Sequence, residues 1–149
     1  MTDSFEKFSL AISELYYYLH KITREEMEKY GLSGPHAIYF FILADKKDGL
    51  TCAELSEASF KNKADVSRAV ALFEKKGLVR KIEKTNNSYR AKIVLTDDGM
   101  AAAKMLQERS LIVSDMVSDG LTEEKRNALY EAMALIASNM KEICREKTS

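Results

Sequence analysis

The chain has 149 residues, 46% of them apolar and 31% charged, with a formal net charge of zero. This is the composition of a folded protein of one domain, or of a small domain with an appended dimerisation element, and it excludes a disordered chain. The longest apolar runs, such as 37–44, are too short to span a bilayer, and no basic-then-apolar signal pattern opens the sequence. Cys52 and Cys144 lie far apart with no metal or redox spacing. The expected setting is the cytoplasm, with reduced thiols and no membrane partner.

Residues 4–30 read as one long helix. Phe5, Phe8, Ile12, Leu15, Leu19 and Ile22 recur at alternating steps of three and four, a heptad seam. Leu10, Ala11, Tyr16, Tyr17 and Tyr18 make other sides apolar too, more than a small domain can cover. The helix is expected to be shared between the core and a partner subunit; a wholly intramolecular core helix is the alternative. After Gly31, Ser33 is placed to cap a helix with Pro35 in its first turn, running to about Lys46 and buried along its apolar body. Asp48-Gly49 makes a turn, and Leu50 is a candidate short strand. Thr51 and Glu54 form a capping box for a helix from Cys52 to about Ser59, with Leu55 and Ala58 facing inward.

Residues 59–62 turn into a second amphipathic helix. Val66, Ala69, Val70 and Phe73 share one face, flanked by Leu72, and Gly77 supplies a C-cap. The leading end is polar and cationic, with Lys61, Asn62, Lys63, Asp65, Ser67 and Arg68. Short helix, tight turn and basic-ended helix form a helix-turn-helix suited to a DNA major groove. Taken alone, the second helix is equally compatible with an ordinary solvated surface.

Beyond Gly77 the period changes to two. Residues 78–84 and 89–95 read as the strands of a hairpin whose tip, 85–88, is polar. Between Lys61 and Lys92 there are ten basic residues and three acidic ones, 10 − 3 = +7, so the rest of the chain carries −7. That asymmetry gathers positive potential on one module, as an anionic partner would require. Thr96 caps a helix running to about Val117, with Met100, Ala103, Leu106, Ile112 and Val113 on its apolar side. Thr122 caps the last helix, whose Leu129, Met133, Ile136, Met140 and Ile143 repeat the heptad pattern. Apolar seams at both ends predict a helical dimerisation domain using Phe5, Phe8 and Ile12 together with those five residues. The fold class expected is mainly α with a small β-hairpin.

No catalytic constellation is present, so an enzyme is not expected. His20 and His36 have no metal-ligating neighbours at the right spacing, and neither a phosphate loop nor a nucleophile elbow occurs. No metal and no cofactor is implied. Cys52, at the leading end of a helix, reads as a small buried filler, with a reactive thiolate as the alternative.

The order of elements resembles the MarR family of winged helix-turn-helix transcription regulators. The carriers are Leu55-Ser56-Glu57-Ala58, Lys63-Ala64-Asp65-Val66-Ser67-Arg68, Phe73-Glu74-Lys75-Lys76-Gly77-Leu78-Val79 and Leu95-Thr96-Asp97-Asp98-Gly99, with their mutual spacing. The resemblance implies one MarR-like domain, with a winged lobe at about 33–97 and dimerisation helices at about 4–30 and 98–147. It implies a homodimer that binds a near-palindromic double-stranded operator, as a repressor released by a small phenolic or anionic effector. A dimer that senses cysteine oxidation, or a winged helix used as a protein-interaction module, is the alternative.

Transferred residue by residue, Lys63, Ala64, Asp65, Ser67 and Arg68 occupy the groove-reading positions, with Lys61 and Asn62 leading in. Lys84, Asn86, Asn87, Arg90 and Lys92 fall on the wing. The chain departs from the family there, with Asn86-Asn87-Ser88-Tyr89 before the arginine, which leaves Arg90 and Lys92 as alternative minor-groove contacts. The effector cleft would be lined by Tyr16, Tyr17, His20, Pro35, His36, Tyr39 and Phe40; dimer core is the competing role for these residues.

Overall fold

In the computed structural model, which describes residues 3–83 and 90–146, α1 spans Asp3–Glu28. A 3-10 turn at Gly34–His36 leads into α2 at Ala37–Ala44. Helix α3 spans Cys52–Ser59, α4 Lys63–Lys75, β1 Val79–Ile82, β2 Lys92–Leu95, α5 Asp97–Val117 and α6 Glu123–Glu146. The chain is thus mainly helical with one antiparallel hairpin, β1 beside β2, as its periodicity predicts. Two compact units are present, one ending at Arg109 and the other beginning at Ser110. No described helix is long and apolar enough to cross a membrane.

The first unit is built on aromatic and branched side chains that the helical period brings together. Phe40, Phe73, Met27, Leu43, Leu55, Ile93, Leu106, Val66 and Val70 are essentially inaccessible to solvent. The Phe40 and Phe73 rings lie 5.1 Å apart and Tyr39 meets Phe73 edge-on at 5.7 Å. The predicted stripe of α4 (Val66, Ala69, Val70 and Phe73) is buried in full. Burying a large side chain of this kind contributes roughly 2–3 kcal/mol, so the stripe fixes which face of α4 is left for solvent.

Several boundaries and faces differ from the sequence reading, each for a local reason. Helix α1 stops at Glu28 rather than Tyr30, because Leu32 N–H turns back to the Met27 carbonyl at 2.9 Å. The segment after Ser33 starts as a 3-10 turn and α2 ends at Ala44, two residues short of Lys46. Here Ser33 N–H donates to His36 Nδ1 at 3.1 Å, so the imidazole supplies part of the cap. In α3 the inward partner of Leu55 is Ser59, one turn later, and Ala58 is exposed. In α5 the buried set is Gly99, Ala102, Ala103 and Leu106, while Met100 and Ile112 are exposed. Gly99 occupies that face because a β-carbon there would lie 1.9 Å from the Leu78 carbonyl oxygen.

The strands are four residues each, shorter than the runs 78–84 and 89–95, with Val79 opposite Leu95 and Ile82 opposite Lys92. Leu50 bridges Ile93 on the other edge of β2 through Leu50 N–H to Ile93 O at 3.1 Å and Ile93 N–H to Leu50 O at 2.7 Å. Gly77, at φ +73°, lets the chain leave α4 and enter β1 directly. Thr96 then ties the lobe together: its hydroxyl donates to the Gly77 carbonyl at 2.6 Å and accepts from Gly99 N–H at 3.1 Å.

Candidate nucleic-acid interface

Helix α3 is anchored by its capping box: Glu54 N–H donates to Thr51 Oγ1, and Thr51 N–H to Glu54 Oε1, both at 3.1 Å. Those bonds to Thr51 hold the Glu54 carboxyl below its ordinary range. At the other end, Ser56 Oγ donates to the Lys61 carbonyl at 2.5 Å, closing the turn into α4. Asn62 is the N-cap of α4, its Oδ1 accepting from Asp65 N–H at 2.8 Å. The two helices are therefore joined by a turn that is hydrogen-bonded on both sides.

With its apolar stripe committed to the core, α4 leaves Asn62, Lys63, Ala64, Ser67 and Arg68 exposed. Lys61 and Asp65 are half-buried at the edge of this face. Arg68 and Asp65 form an ion pair, with the Arg68 side chain still 71% exposed. The face thus offers hydroxyl, amide and guanidinium groups at a helix N-terminus, where the macrodipole adds positive potential. Arg80, Lys81 and Arg90 are exposed on or next to the hairpin. Lys92 is paired in the ladder opposite Ile82, and its charge reaches Glu54; Arg90 lies two residues further toward the tip. Lys84, Asn86 and Asn87 lie outside the described residues, as does Tyr89.

Beside this face is a cleft of about 300 Å³. Pro35, His36 and Tyr39 form one wall; Lys61 and, from α4, Asp65, Arg68, Ala69 and Leu72 form the other. Tyr16 of α1 reaches Lys61, its hydroxyl 3.3 Å from Nζ, and the His20 ring stands edge-on to Tyr16 at 3.9 Å. Burial and the Lys61 charge both lower the pKa of His20 and of His36. Burial, then Asp65, raises that of the Tyr39 hydroxyl.

Of the residues expected around an effector, Pro35, His36 and Tyr39 line this cleft, and Tyr16 and His20 meet Lys61 beside it. Phe40 does not line it: its ring is in the core, 1% exposed, because Phe40 and Leu43 share the inner face of α2. Tyr17 also points elsewhere, against Tyr18 at 5.1 Å and under the Lys21 ammonium at 5.9 Å. The second wall was missed from sequence, although 61, 65, 68 or 69 and 72 recur at helical spacing. No group of His, Cys, Asp and Glu able to hold a metal occurs among the described residues. Cys52 is half-buried against the core and Cys144 is exposed.

A helix-turn-helix followed directly by a hairpin defines a winged helix-turn-helix protein. Residues 30–86 match the model of the MarR family. No curated protein matches the sequence. Among solved structures, the chain is similar to a MarR transcriptional regulator from Methanosarcina mazei Go1, at 18% identity and a TM-score of 0.81 over 93% of this chain and 99% of that one. It is similar to MepR of S. aureus in a DNA complex, at 16% identity and 0.79 over 89% and 97%. A Listeria monocytogenes protein assigned to the same family, complexed with a 26-mer DNA, matches at 21% identity and 0.80 over 89% and 87%. The chain is therefore similar to the MarR family in sequence over residues 30–86, and over nearly all its length it has the winged helix-turn-helix fold of these solved structures.

Proposed function

We propose that this protein is a homodimeric, sequence-specific double-stranded DNA-binding regulator that represses transcription from a near-palindromic operator and is released by a small ligand. The observation that carries the reading is the exposed polar and cationic face of α4, held at its leading end by the Ser56 and Asn62 bonds. Asn62, Lys63, Ala64, Ser67 and Arg68 read base edges and phosphates, and Arg90 with the wing residues Lys84, Asn86, Asn87 and Lys92 adds contacts beside them. A fixed turn matters because a reader loose by an ångström spends affinity on ordering itself. The solved relatives with DNA bound support the same use of this lobe.

The dimer is supported by apolar surface that the chain leaves open. Helix α6 has no buried residue, yet Leu129, Met133, Met140 and Ile143 are between 38% and 55% exposed. Phe5 and Ile12 on α1 are 69% and 45% exposed, with Phe8 and Ile136 half-buried. Helices with such stripes are stable when the stripe is covered, and a second copy covers it symmetrically. The cleft is the proposed effector site because Asp65 and Arg68 belong to both surfaces. A phenolic or anionic ligand beside His36, Tyr39 and Lys61 would compete with DNA for the conformation of α4.

Selection of bound sequences from random duplexes tests the reading. An inverted-repeat motif bound by two chains is the expected result; recovery of no motif overturns it.

A further inference from the structure

Phe60 is at odds with its surroundings. It follows Ser59 at the end of α3, has φ +56° and ψ 32°, and is 96% exposed, the most exposed large apolar side chain among the described residues. A left-handed backbone costs a phenylalanine about 1 kcal/mol or more, and a bare ring in water gains nothing from packing. Glycine or asparagine would sit in that turn without strain. The residue is not loosely held. The Lys61 carbonyl that follows it accepts from Ser56 and the Asn62 side chain caps α4, so the strained turn is presented rather than frayed. Its neighbours in sequence Glu57, Lys61, Asn62 and Lys63 are all polar, two of them cationic, and none is fully buried, a setting that suits an anionic partner better than an apolar protein face.

Resting on the reading that α4 enters DNA, we infer that Phe60 is a specificity-determining residue that packs against a thymine C5-methyl group at the edge of the major groove. The ring has no donor or acceptor, so it cannot recognise a phosphate or the polar edge of a base. The thymine methyl is the one apolar group that the major groove displays, and contact with it distinguishes T·A from the other pairs. Phe60 immediately precedes the Lys61–Arg68 segment that carries the polar reading groups, so it extends the reading by one apolar contact on the α3 side. Strain in the free protein is consistent with a residue retained for binding rather than for folding.

The test uses the full-length protein and the duplex recovered by random selection, with each thymine replaced in turn by deoxyuridine, which removes only the methyl. At one thymine in each half-site the parent protein loses about fourfold in affinity, the value of one buried methyl group. Phe60→Ala binds the thymine duplex about tenfold more weakly and does not distinguish thymine from deoxyuridine there. Phe60→Gly melts about 3 °C higher than the parent, because the left-handed turn is relieved. Equal affinity and equal methyl dependence in Phe60→Ala overturn the inference, as does a uniform loss with the methyl effect intact. A lower melting temperature for Phe60→Gly also overturns it, since the ring would then be packed within the protein assembly. If the parent recovers no duplex at all, the DNA-binding reading itself fails, which is a different result.

Discussion

Arg68→Ala separates binding from folding. In the free protein the guanidinium is 71% exposed and its one described ion pair is with Asp65, 47% exposed and three residues earlier on the same helix. Exposed pairs of this kind contribute about 0–1 kcal/mol, so the variant should unfold within about 0.5 kcal/mol of the parent in urea. On DNA the same group has much more to lose. A bidentate arginine contact to a guanine is worth roughly 1–3 kcal/mol, a factor of about 5 to 150 in affinity. Asp65 adjusts that figure, because the carboxylate must share or release the guanidinium as the groove closes around it. Asp65→Asn therefore frees Arg68 and removes a negative charge from the reading face, which should tighten binding to arbitrary sequence and reduce discrimination. Fluorescence anisotropy on the selected duplex and on a scrambled one reads both effects. Arg68→Ala should lose affinity for the selected duplex and, with one base pair per half-site relaxed, retain most of its affinity for the scrambled one. Affinity within twofold of the parent on both duplexes would refute the placement of Arg68.

Three further outcomes follow from local geometry. Gly99→Ala drives a methyl to 1.9 Å from the Leu78 carbonyl, which itself accepts from Thr96 N–H, so backbone must move. Its urea stability should fall by about 2–3 kcal/mol, and an unchanged midpoint would show that α5 does not approach the Leu78 carbonyl so closely. Thr51→Ala removes the N-cap of α3 and should cost about 1 kcal/mol in the same assay, largely restored by Thr51→Ser. Burial, then Lys61, holds His36 below its ordinary pKa of 6.5, so the folded state prefers the neutral ring. The stability this provides is present above pH 6.5 and is lost as pH falls through the lowered folded value. Melting temperature should therefore drop between pH 6.5 and 5, less steeply in His36→Gln and in Lys61→Met; parallel curves would contradict it.

The elements that were legible in the sequence are those whose burial follows a period. The α4 stripe and the capping box at Thr51 were readable because each depends on residues within one or two turns. The buried face of α5 departs from its apolar pattern where a distant backbone decides it: Gly99 rather than Met100 faces inward, because the Leu78 carbonyl admits no β-carbon there. Phe40 and Tyr39 are adjacent in an unbroken apolar run, with no pattern to separate a cleft wall from the core. Phe60 carried no signal at all, since a phenylalanine in a polar turn looks like ordinary core until its exposure and positive φ are known.

The central claim is tested most directly by titrating the selected duplex, and one with a single half-site, across salt concentrations. The account predicts two chains per full duplex, a large loss on the half-site, and a slope of log K against log salt steeper than about −5, from six or more phosphate contacts at about −0.9 each. Equal binding to the half-site, or affinity that does not change with salt, would contradict it.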